Sequence, residues 1–192
     1  MYNIAPSHDV PIIIKTNRDR QIVLMKWGLS LPFKIKSGIH PFNVRSEGIE
    51  FHPLFRDAFT RYRCLVPATG FYEWKREGRK KIPFLIKRSD DQFIAFAGIY
   101  YPDLSSSHYS GTFAIITTNP NKLVARVHNR MPVILKKETE NTWISGDDWK
   151  KLSPFLSPFP EETLVMYQVS DEVNNPLNDR EDLIQPLKPF FT

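Results

Sequence analysis

Short runs of β-branched and aromatic residues recur along the chain, and they constrain its fold more than any other feature. Apolar runs of this length, bounded by turn residues, are typical of strands. Proline makes up 16 of the 192 residues and is spread singly, which fits many strand ends and loops. We therefore predict an α+β fold, a single compact β-rich domain over residues 1–192 with a few short helices. The runs that predict strands are 10–16, 21–29, 63–76, 81–88, 93–101, 112–118, 130–136 and 163–170.

Helical patterns are fewer and shorter than the strand patterns. One begins at Phe51, a second at Asn119, and a third covers residues 137–156. In the second, Asn119 is expected to cap the helix, because its side-chain oxygen can accept from the free amides of the first turn, and Pro120 suits the first helical position. Helices are therefore expected to be minor elements of this fold.

The charge balance and the cysteine count limit the function classes. A formal net charge of +5 favours a polyanionic partner such as nucleic acid, although an excess of lysine also serves solubility. The single cysteine, Cys64, excludes an internal disulfide framework and a cysteine-based zinc cluster. No export signal is visible, and no apolar run approaches the roughly 20 residues that cross a bilayer. We expect a cytoplasmic protein without a membrane span.

Metal and cofactor chemistry find no support in the residue pattern. Four of the histidines, His8, His40, His52 and His108, stand far apart without metal-ligand spacing. No phosphate-cradling glycine loop and no serine elbow is present. We predict no metal and no cofactor, and we interpret Cys64 as a small buried apolar residue rather than a nucleophile.

A carboxylate among aromatic residues is the first candidate for chemistry. The segment GFYEWKREGRKKIPFLI places Glu73 between Tyr72 and Trp74. In a strand, alternation puts Phe71, Glu73 and Lys75 on one face. Shielding by aromatics makes a carboxylate costly to ionise, so its pKa should rise towards the range useful for an acid or base. The alternative is a cross-strand pair between Glu73 and a lysine of the returning strand. The basic turn that follows fits either phosphate contacts or a solvated hairpin tip.

A second polar set lies in the segment FNVRSEG. Alternation places Asn43, Arg45 and Glu47 on one face of an extended segment. They form either an exposed edge or the lining of a groove in which Arg45 meets a phosphate and Asn43 makes a directed hydrogen bond. Periodicity does not separate these two interpretations.

A histidine and an arginine follow the second predicted helix. In that helix Val124, Val127 and His128 share a face, so His128 is expected to lean towards the core. The helix C-terminus favours a protonated imidazole. Both a structural and a catalytic histidine fit this position, and Arg130 adds a donor suited to a phosphate or to Glu73.

Taken together, the ordered motifs of this chain resemble the SRAP family, the SOS response-associated peptidase-like proteins. The resemblance spans nearly the whole chain, and eight motifs in the same order are far more specific than any one of them. They are YNIAP from residue 2, WGL from 27, NVRSE from 43, RCLVPATGFYEW from 63, FAG from 96, TT at 117–118, VHNRMPV from 127, and VS with VN at 169–174.

The resemblance implies a compact β-rich fold with a basic cleft for single-stranded DNA that recognises abasic sites and can attach to them covalently. In that family the nucleophile is a cysteine directly after the initiator methionine. Its amine condenses with the ring-opened aldehyde of the abasic sugar, and its thiol closes a thiazolidine. This sequence has Tyr2 at that position. We therefore expect the crosslink only in a form that carries an upstream N-terminal cysteine, and we expect a monomer that is nucleoid-associated when bound to DNA.

Site residues carry over from the resemblance one by one. Glu73 would act as acid or base in imine formation and ring closure, His128 would shuttle protons at the sugar, and Asn43 would orient the substrate or the nucleophile. The DNA-binding positions that it implies are Arg45 and Arg130 at the phosphates with Thr117 nearby, and Pro6, Phe33 and Trp74 as an apolar wedge against which bases unstack.

Two other functions compete with abasic-site capture. A non-covalent single-stranded DNA-binding module would give salt-reversible binding without an adduct. The peptidase activity in the family name would act on residues ahead of the nucleophile and would be lost on Glu73→Gln. A general glutamate–histidine hydrolase is disfavoured because no second carboxylate has a partner role.

Overall fold

Strands dominate the chain, as its apolar runs predict. The protein is described here by a computed structural model over residues 1–16, 19–31, 40–105, 110–146 and 148–187. The strands are β1 (Asp9–Lys15), β2 (Arg20–Trp27), β3 (Asn43–Arg45), β4 (Arg63–Ala68), β5 (Gly70–Glu77), β6 (Lys80–Arg88), β7 (Ile94–Pro102), β8 (Gly111–Thr118), β9 (Met131–Pro132), β10 (Ile134–Leu135) and β11 (Leu164–Gln168). The α-helices are α1 (Arg56–Arg61), α2 (Glu140–Ser145) and α3 (Trp149–Leu152). The predicted α+β class is confirmed.

Five strands of the larger sheet close into a ring. β1 pairs with β2 and β4, β4 with β7, β7 with β8, and β8 with β2. The β2–β8 pairing is parallel, whereas the other four are antiparallel. β3 also runs parallel to β8, outside the ring. A separate antiparallel sheet has the order β11-β6-β5.

Residues 130–136, predicted as one strand, divide at Val133. The Val133 amide donates to the carbonyl of Ile116 on β8, and its own carbonyl accepts from the amide of Ala97 on β7. β9 therefore pairs with β8 and β10 with β7. This switch between neighbouring strands fixes the position of the loop just before it, which carries His128.

Strand alternation sorts the core into two layers. One cluster collects alternate residues from all five ring strands, among them Ile12, Met25 and Phe113. The other collects intervening residues of the ring together with Phe59 of α1 and Trp143 of α2. Each large apolar side chain buried in this way stabilises the fold by roughly 1.5–3 kcal/mol.

A buried arginine joins the ends of two helices. Arg63 is 6% exposed, and its guanidinium donates to the carbonyls of Phe59 and Thr60 at the end of α1 and of Trp143 and Gly146 at the end of α2. The last carbonyls of a helix have no partner within the helix, so this side chain satisfies them.

The helix predicted from Asn119 is wrong. One 3₁₀ turn, Val124–Arg126, replaces it, and the side chain of Asn121 rather than Asn119 caps that turn by accepting from the Val124 amide at 2.9 Å. The chain has to pair back from β8 onto β9 within this segment, which leaves room for a single turn. As a result His128 does not lean towards the core, and its side chain is 42% exposed.

The other two helical segments form only in part. The helix predicted to begin at Phe51 begins only at Arg56, after Pro53. The third breaks at Gly146 into α2 and α3, and Pro154 then continues it as a 3₁₀ turn. None of the helices in the described part of the chain has the length and apolar character needed to cross a bilayer.

Candidate active-site cleft

A cleft of about 1410 Å³ is lined by residues of both sheets and of the N-terminal segment. Five of the predicted catalytic and DNA-binding residues lie along it: Pro6, Asn43, Glu73, Trp74 and His128. They come from four separate parts of the chain, which the fold brings together.

The β5–β6 hairpin positions Glu73. Its turn contains Gly78 at φ +58°, a left-handed conformation that glycine adopts without steric cost. Alternation along β5 then packs Phe71 into the ring core and turns Tyr72 and Trp74 towards a third cluster. Glu73 shares the face of Phe71, as predicted, and its side chain is 18% exposed.

The partner of Glu73 is a histidine. Phe84 lies opposite Glu73 in the hairpin, and the lysines of the returning strand lie opposite other residues, Lys80 opposite Glu77, Lys81 opposite Arg76 and Lys87 opposite Gly70. The alternative of a Glu73–lysine cross-strand pair is therefore wrong. Glu73 Oε2 lies 3.4 Å from Nδ1 of His128.

Burial raises the pKa of Glu73 to about 7. The desolvated carboxylate is disfavoured, while the charge of His128 and a hydrogen bond from the Trp74 amide act in the opposite direction without cancelling it. A carboxyl group that titrates near neutral pH can both give and accept a proton, which is what general acid–base chemistry requires. The rise expected from the sequence is thus present.

Nδ1 of His128 meets three protein groups. Besides Glu73, the carbonyl oxygen of Arg130 lies 3.1 Å away and the amide nitrogen of Arg130 lies 3.3 Å away. When Nδ1 carries a proton, it can donate a hydrogen bond to the carbonyl or to the carboxylate, and when it does not, it accepts a hydrogen bond from the amide. Both tautomers of the imidazole therefore have a partner at this nitrogen. Such an arrangement suits a side chain that passes protons.

Asn43 completes the polar set. It is the first residue of β3, which lies parallel to β8 with Asn43 opposite Ile115, and its side chain is exposed at the cleft. Val44 between Asn43 and Arg45 is buried, as the alternation in the sequence predicts.

Three other predicted site residues do not line the cleft wall. Arg45 is exposed beyond Asn43, Thr117 is buried on β8 opposite Arg45, and Arg130 directs its guanidinium at Glu47. Hydrogen bonding from Arg130, with the charges of Arg130 and Arg45, holds the pKa of Glu47 below its usual value. Phe33 lies outside the described residues.

The wedge positions differ in how firmly they are held. Pro6 is exposed in the N-terminal segment. Trp74 is partly buried, and its indole Nε1 donates to Oδ1 of Asn174 at 2.7 Å. Trp74 therefore has a fixed ring orientation, which favours a rigid stacking surface.

The basic hairpin turn, for which the sequence left both phosphate contacts and a solvated tip open, places two of its cations in the cleft. Arg76 and Lys81 lie directly opposite each other in the hairpin, and both line the cleft. Like charges facing each other across two strands are destabilising. Counting back from the two-residue turn at Gly78 would have predicted this pair, because the turn fixes the register.

Apart from Pro6, the N-terminal segment was not predicted to line the cleft, although residues 1–5 do so. Asn3 is buried, and its side-chain amide donates to the carbonyls of Val173, Asn175 and Asn178. The hydroxyl of Tyr72 donates to the carbonyl of Tyr2 at 2.8 Å. Residues 1–6 are thus held against the hairpin and the segment 173–178.

Cys64 is unsuited to attack a substrate. It is fully buried on β4, and burial raises the pKa of its thiol. A Cβ at Gly98 would lie 2.7 Å from its Sγ, so the sulfur fills space inside the ring. Within the described ranges, no three His, Cys, Asp or Glu side chains cluster in a way that could hold a metal ion.

Fold and site together define a β-rich protein whose cleft combines a partly buried glutamate beside a histidine, an asparagine, aromatic rings and several cationic side chains. The sequence model of the family described as SOS response associated peptidase (SRAP) matches residues 1–176. The chain belongs to this family, as its motifs indicate.

Relatives and a solved structure agree with that assignment. The abasic site processing protein YoqW of Bacillus subtilis is 37% identical over 190 residues, covering 96% of this chain and 85% of the relative. The abasic site processing protein YoaM of the same organism is 36% identical over 189 residues, covering 95% and 83%. A crystal structure of a protein from Bacteroides thetaiotaomicron superposes with a TM-score of 0.81 at 30% identity, covering 94% of this chain and 82% of that one.

Proposed function

We propose that this protein processes abasic sites in DNA, binding single-stranded DNA in the cleft and acting on the lesion with Glu73, His128 and Asn43. The observation that carries the proposal is the partly buried Glu73 beside His128, a pair able to exchange protons near neutral pH. The names of the relatives YoqW and YoaM support the same substrate.

The chemistry proposed for this pair is that of an aldehyde. A ring-opened abasic sugar carries an aldehyde at C1′. An amine adds to that carbonyl carbon, and the resulting carbinolamine loses its hydroxyl as water once a general acid has protonated it. Neutral Glu73 is the proposed proton donor, and His128 relays protons between Glu73 and the sugar oxygen. Asn43 orients the reacting groups by hydrogen bonding.

The covalent step needs an amine and a thiol together. Addition of the S–H group across the C=N bond of the imine closes a thiazolidine, with the sulfur on carbon and the proton on nitrogen. Cys64 is buried and does not supply this thiol. The crosslink is therefore proposed for a form of the protein that presents an N-terminal cysteine at the cleft.

DNA affinity is proposed to come from charge and stacking. Arg45, Arg76 and Lys81 offer cations to the phosphates, and Trp74 offers a ring for a flanking base, with stacking worth roughly 1–3 kcal/mol per base. Pro6 is proposed to complete the wedge. An abasic nucleotide is cheap to extrude because no pairing or stacking of its own base is lost.

Two oligonucleotides that differ only in the lesion test the proposal. Fluorescence anisotropy compares binding of an intact single strand with one that carries a stable tetrahydrofuran abasic analogue, and denaturing gels look for an adduct with an aldehyde-bearing strand. We expect tighter binding of the abasic strand. Equal, salt-reversible binding of both strands without an adduct would overturn lesion recognition and leave the general single-stranded DNA-binding module.

The adduct assay then separates binding from covalent chemistry. Lesion-preferring binding without an adduct is the expected result for this 192-residue chain. An adduct formed by it would contradict the requirement for an N-terminal cysteine, because another amine of the chain would then reach the aldehyde.

A further inference from the structure

The turn that presents Pro6 is fastened to the end of β2. The amide of His8 donates to the carbonyl of Ala5 at 3.2 Å, which closes a β-turn with Pro6 in its second position. Ser7, in the third position, has φ +76°, a left-handed conformation in which glycine or asparagine is usual. The Ser7 amide donates to the carbonyl of Trp27 at 2.7 Å, and the Trp27 amide donates to the carbonyl of His8 at 2.9 Å. Other residues adopt this conformation only where the surrounding structure holds them in it, so the bonds to Trp27 maintain the turn.

The side chain of Trp27 reaches a second segment of the cleft wall. Its indole Nε1 donates to the carbonyl of Phe42 at 2.8 Å. The same carbonyl accepts from the amide of Ile115 on β8 at 3.0 Å, which brings the chain onto β8 just before Asn43. The indole ring is nearly parallel to the ring of Phe113, with an interplanar angle of 11° and 6.4 Å between the centroids. Trp27 therefore holds the start of β3 from a fixed orientation.

Two of the proposed site residues depend on these bonds for their place in the cleft. Pro6, Trp27 and Asn43 all line it. Pro6 and Asn43 are exposed, so burial does not fix either of them. Their separation is set by the backbone of their segments, and Trp27 bonds to both segments.

We propose that Trp27 is a positioning residue, which fixes Pro6 and Asn43 relative to each other and so fits the cleft to a nucleotide that lacks its base. Pro6 meets the neighbouring base, Asn43 orients the sugar, and Trp27 acts through both. The consequence for lesion recognition rests on the proposed function, but the holding of the two segments is measurable without DNA.

The ratio of two affinities tests the consequence for the lesion. Trp27→Phe keeps an aromatic ring and removes the N–H donor to Phe42. The affinity for the tetrahydrofuran strand, divided by that for the intact strand, is expected to fall roughly two- to tenfold, as for the loss of one hydrogen bond. Partial unfolding does not produce this result, because it lowers both affinities by the same factor. Trp149→Phe, the same change at the exposed first residue of α3, is the matched control and should leave the ratio unchanged.

Two substitutions at Ser7 test the turn independently of whether Trp27→Phe folds. Ser7→Gly suits the left-handed conformation and should keep the ratio of the wild type. Ser7→Val introduces a β-branched side chain, which rarely adopts this conformation, and should lower the ratio. An unchanged ratio in folded Trp27→Phe protein, or in Ser7→Val where Trp27→Phe does not fold, overturns the positioning role.

Amide hydrogen exchange provides the DNA-free test. In Trp27→Phe the amide of Ile115 is expected to exchange roughly two- to tenfold faster, because the Phe42 carbonyl that it bonds to has lost its second donor. The amide of Ala97, which donates to the carbonyl of Val133, is the reference and should keep its rate. An unchanged rate at Ile115, or an equal change at both amides, overturns the local role of Trp27. Absence of lesion preference in the wild-type chain would instead defeat the proposed function and leave the exchange result standing.

Discussion

Arg63, buried near the helices, and Glu73, partly buried in the cleft, are charged side chains with very different sets of partners. The guanidinium of Arg63 donates to four carbonyl oxygens at the ends of α1 and α2. Glu73 lies opposite Phe84, with a histidine at 3.4 Å and one amide as partners. Its burial is not compensated, and its pKa rises accordingly.

This difference distinguishes a charged side chain that stabilises the fold from one that is suited to proton transfer. A buried ion with a full set of partners stabilises what surrounds it, and its removal leaves those partners unsatisfied. A buried ion with an incomplete set lowers stability, and such sites are enriched where a shifted pKa is useful. Arg63 belongs to the first kind and Glu73 to the second.

The largest expected effect is at Arg63. Arg63→Met should destabilise the fold by about 3–5 kcal/mol, because it leaves buried carbonyls at two helix ends without donors. Urea unfolding followed by circular dichroism measures this. Arg61→Met removes an arginine whose ion pair is exposed and should cost less than about 1 kcal/mol. Similar losses of stability in the two variants would contradict the stabilising role assigned to the hydrogen bonds of Arg63.

Glu73→Gln should stabilise the fold rather than destabilise it, and the size of this effect on the free energy of unfolding should depend on pH. The pKa of Glu73 is about 7 in the fold and about 4.3 in an unfolded chain, so the folded state holds the proton more tightly. Stability of the wild type therefore falls as pH rises between these values. Relative to the wild type, Glu73→Gln should gain about 2–3 kcal/mol between pH 5 and pH 8.

Urea unfolding of both proteins at the two pH values isolates the contribution of Glu73 and its contact with His128, since groups away from this pair titrate equally in each. Glu77→Gln, on the exposed end of the same hairpin, is the control and should show no such gain. A constant difference between wild type and Glu73→Gln across this range would contradict the assigned cost of burial.

Arg76 and Lys81 are exposed cations that, like Glu73, are expected to serve function at the expense of stability. They face each other, so replacing both with glutamine should leave the fold as stable or slightly more stable. Single-stranded DNA binding should weaken, with the salt slope smaller by about 2. Anisotropy titrations at several salt concentrations measure this, with Lys150→Gln/Lys151→Gln outside the cleft as the matched control. An equal loss in the control would mean that only net charge matters.

The smallest expected effect is at Arg45. It is exposed beside Asn43, and Arg45→Gln should reduce the salt slope by about 1 with little change in stability. Arg56→Gln, an exposed arginine at the start of α1, serves as the control in the same titration. An unchanged slope for Arg45→Gln would remove Arg45 from the phosphate contacts.

Local sequence patterns were enough to predict most of the strands and part of the candidate site. Period-two alternation gave the strands, the face of Glu73 and its raised pKa, because these depend on neighbours along one hairpin. The motifs gave the family. Counting from the Gly78 turn would also have given the facing pair Arg76 and Lys81.

What the sequence did not reveal depends on pairings between distant segments. The helix predicted from Asn119 and the inward-leaning His128 failed because β9 must return to β8. The bond between Arg130 and Glu47 depends on the parallel pairing of β3 with β8, for which no local signal exists.

Titration of the Glu73 carboxyl carbon by NMR, assigned by its loss in Glu73→Gln, tests the central claim most directly. The account predicts an apparent pKa of about 7, because burial beside His128 disfavours the carboxylate. A midpoint near the ordinary glutamate value of about 4.3 would mean that Glu73 is well solvated or fully paired, and the acid–base site proposed here would be lost.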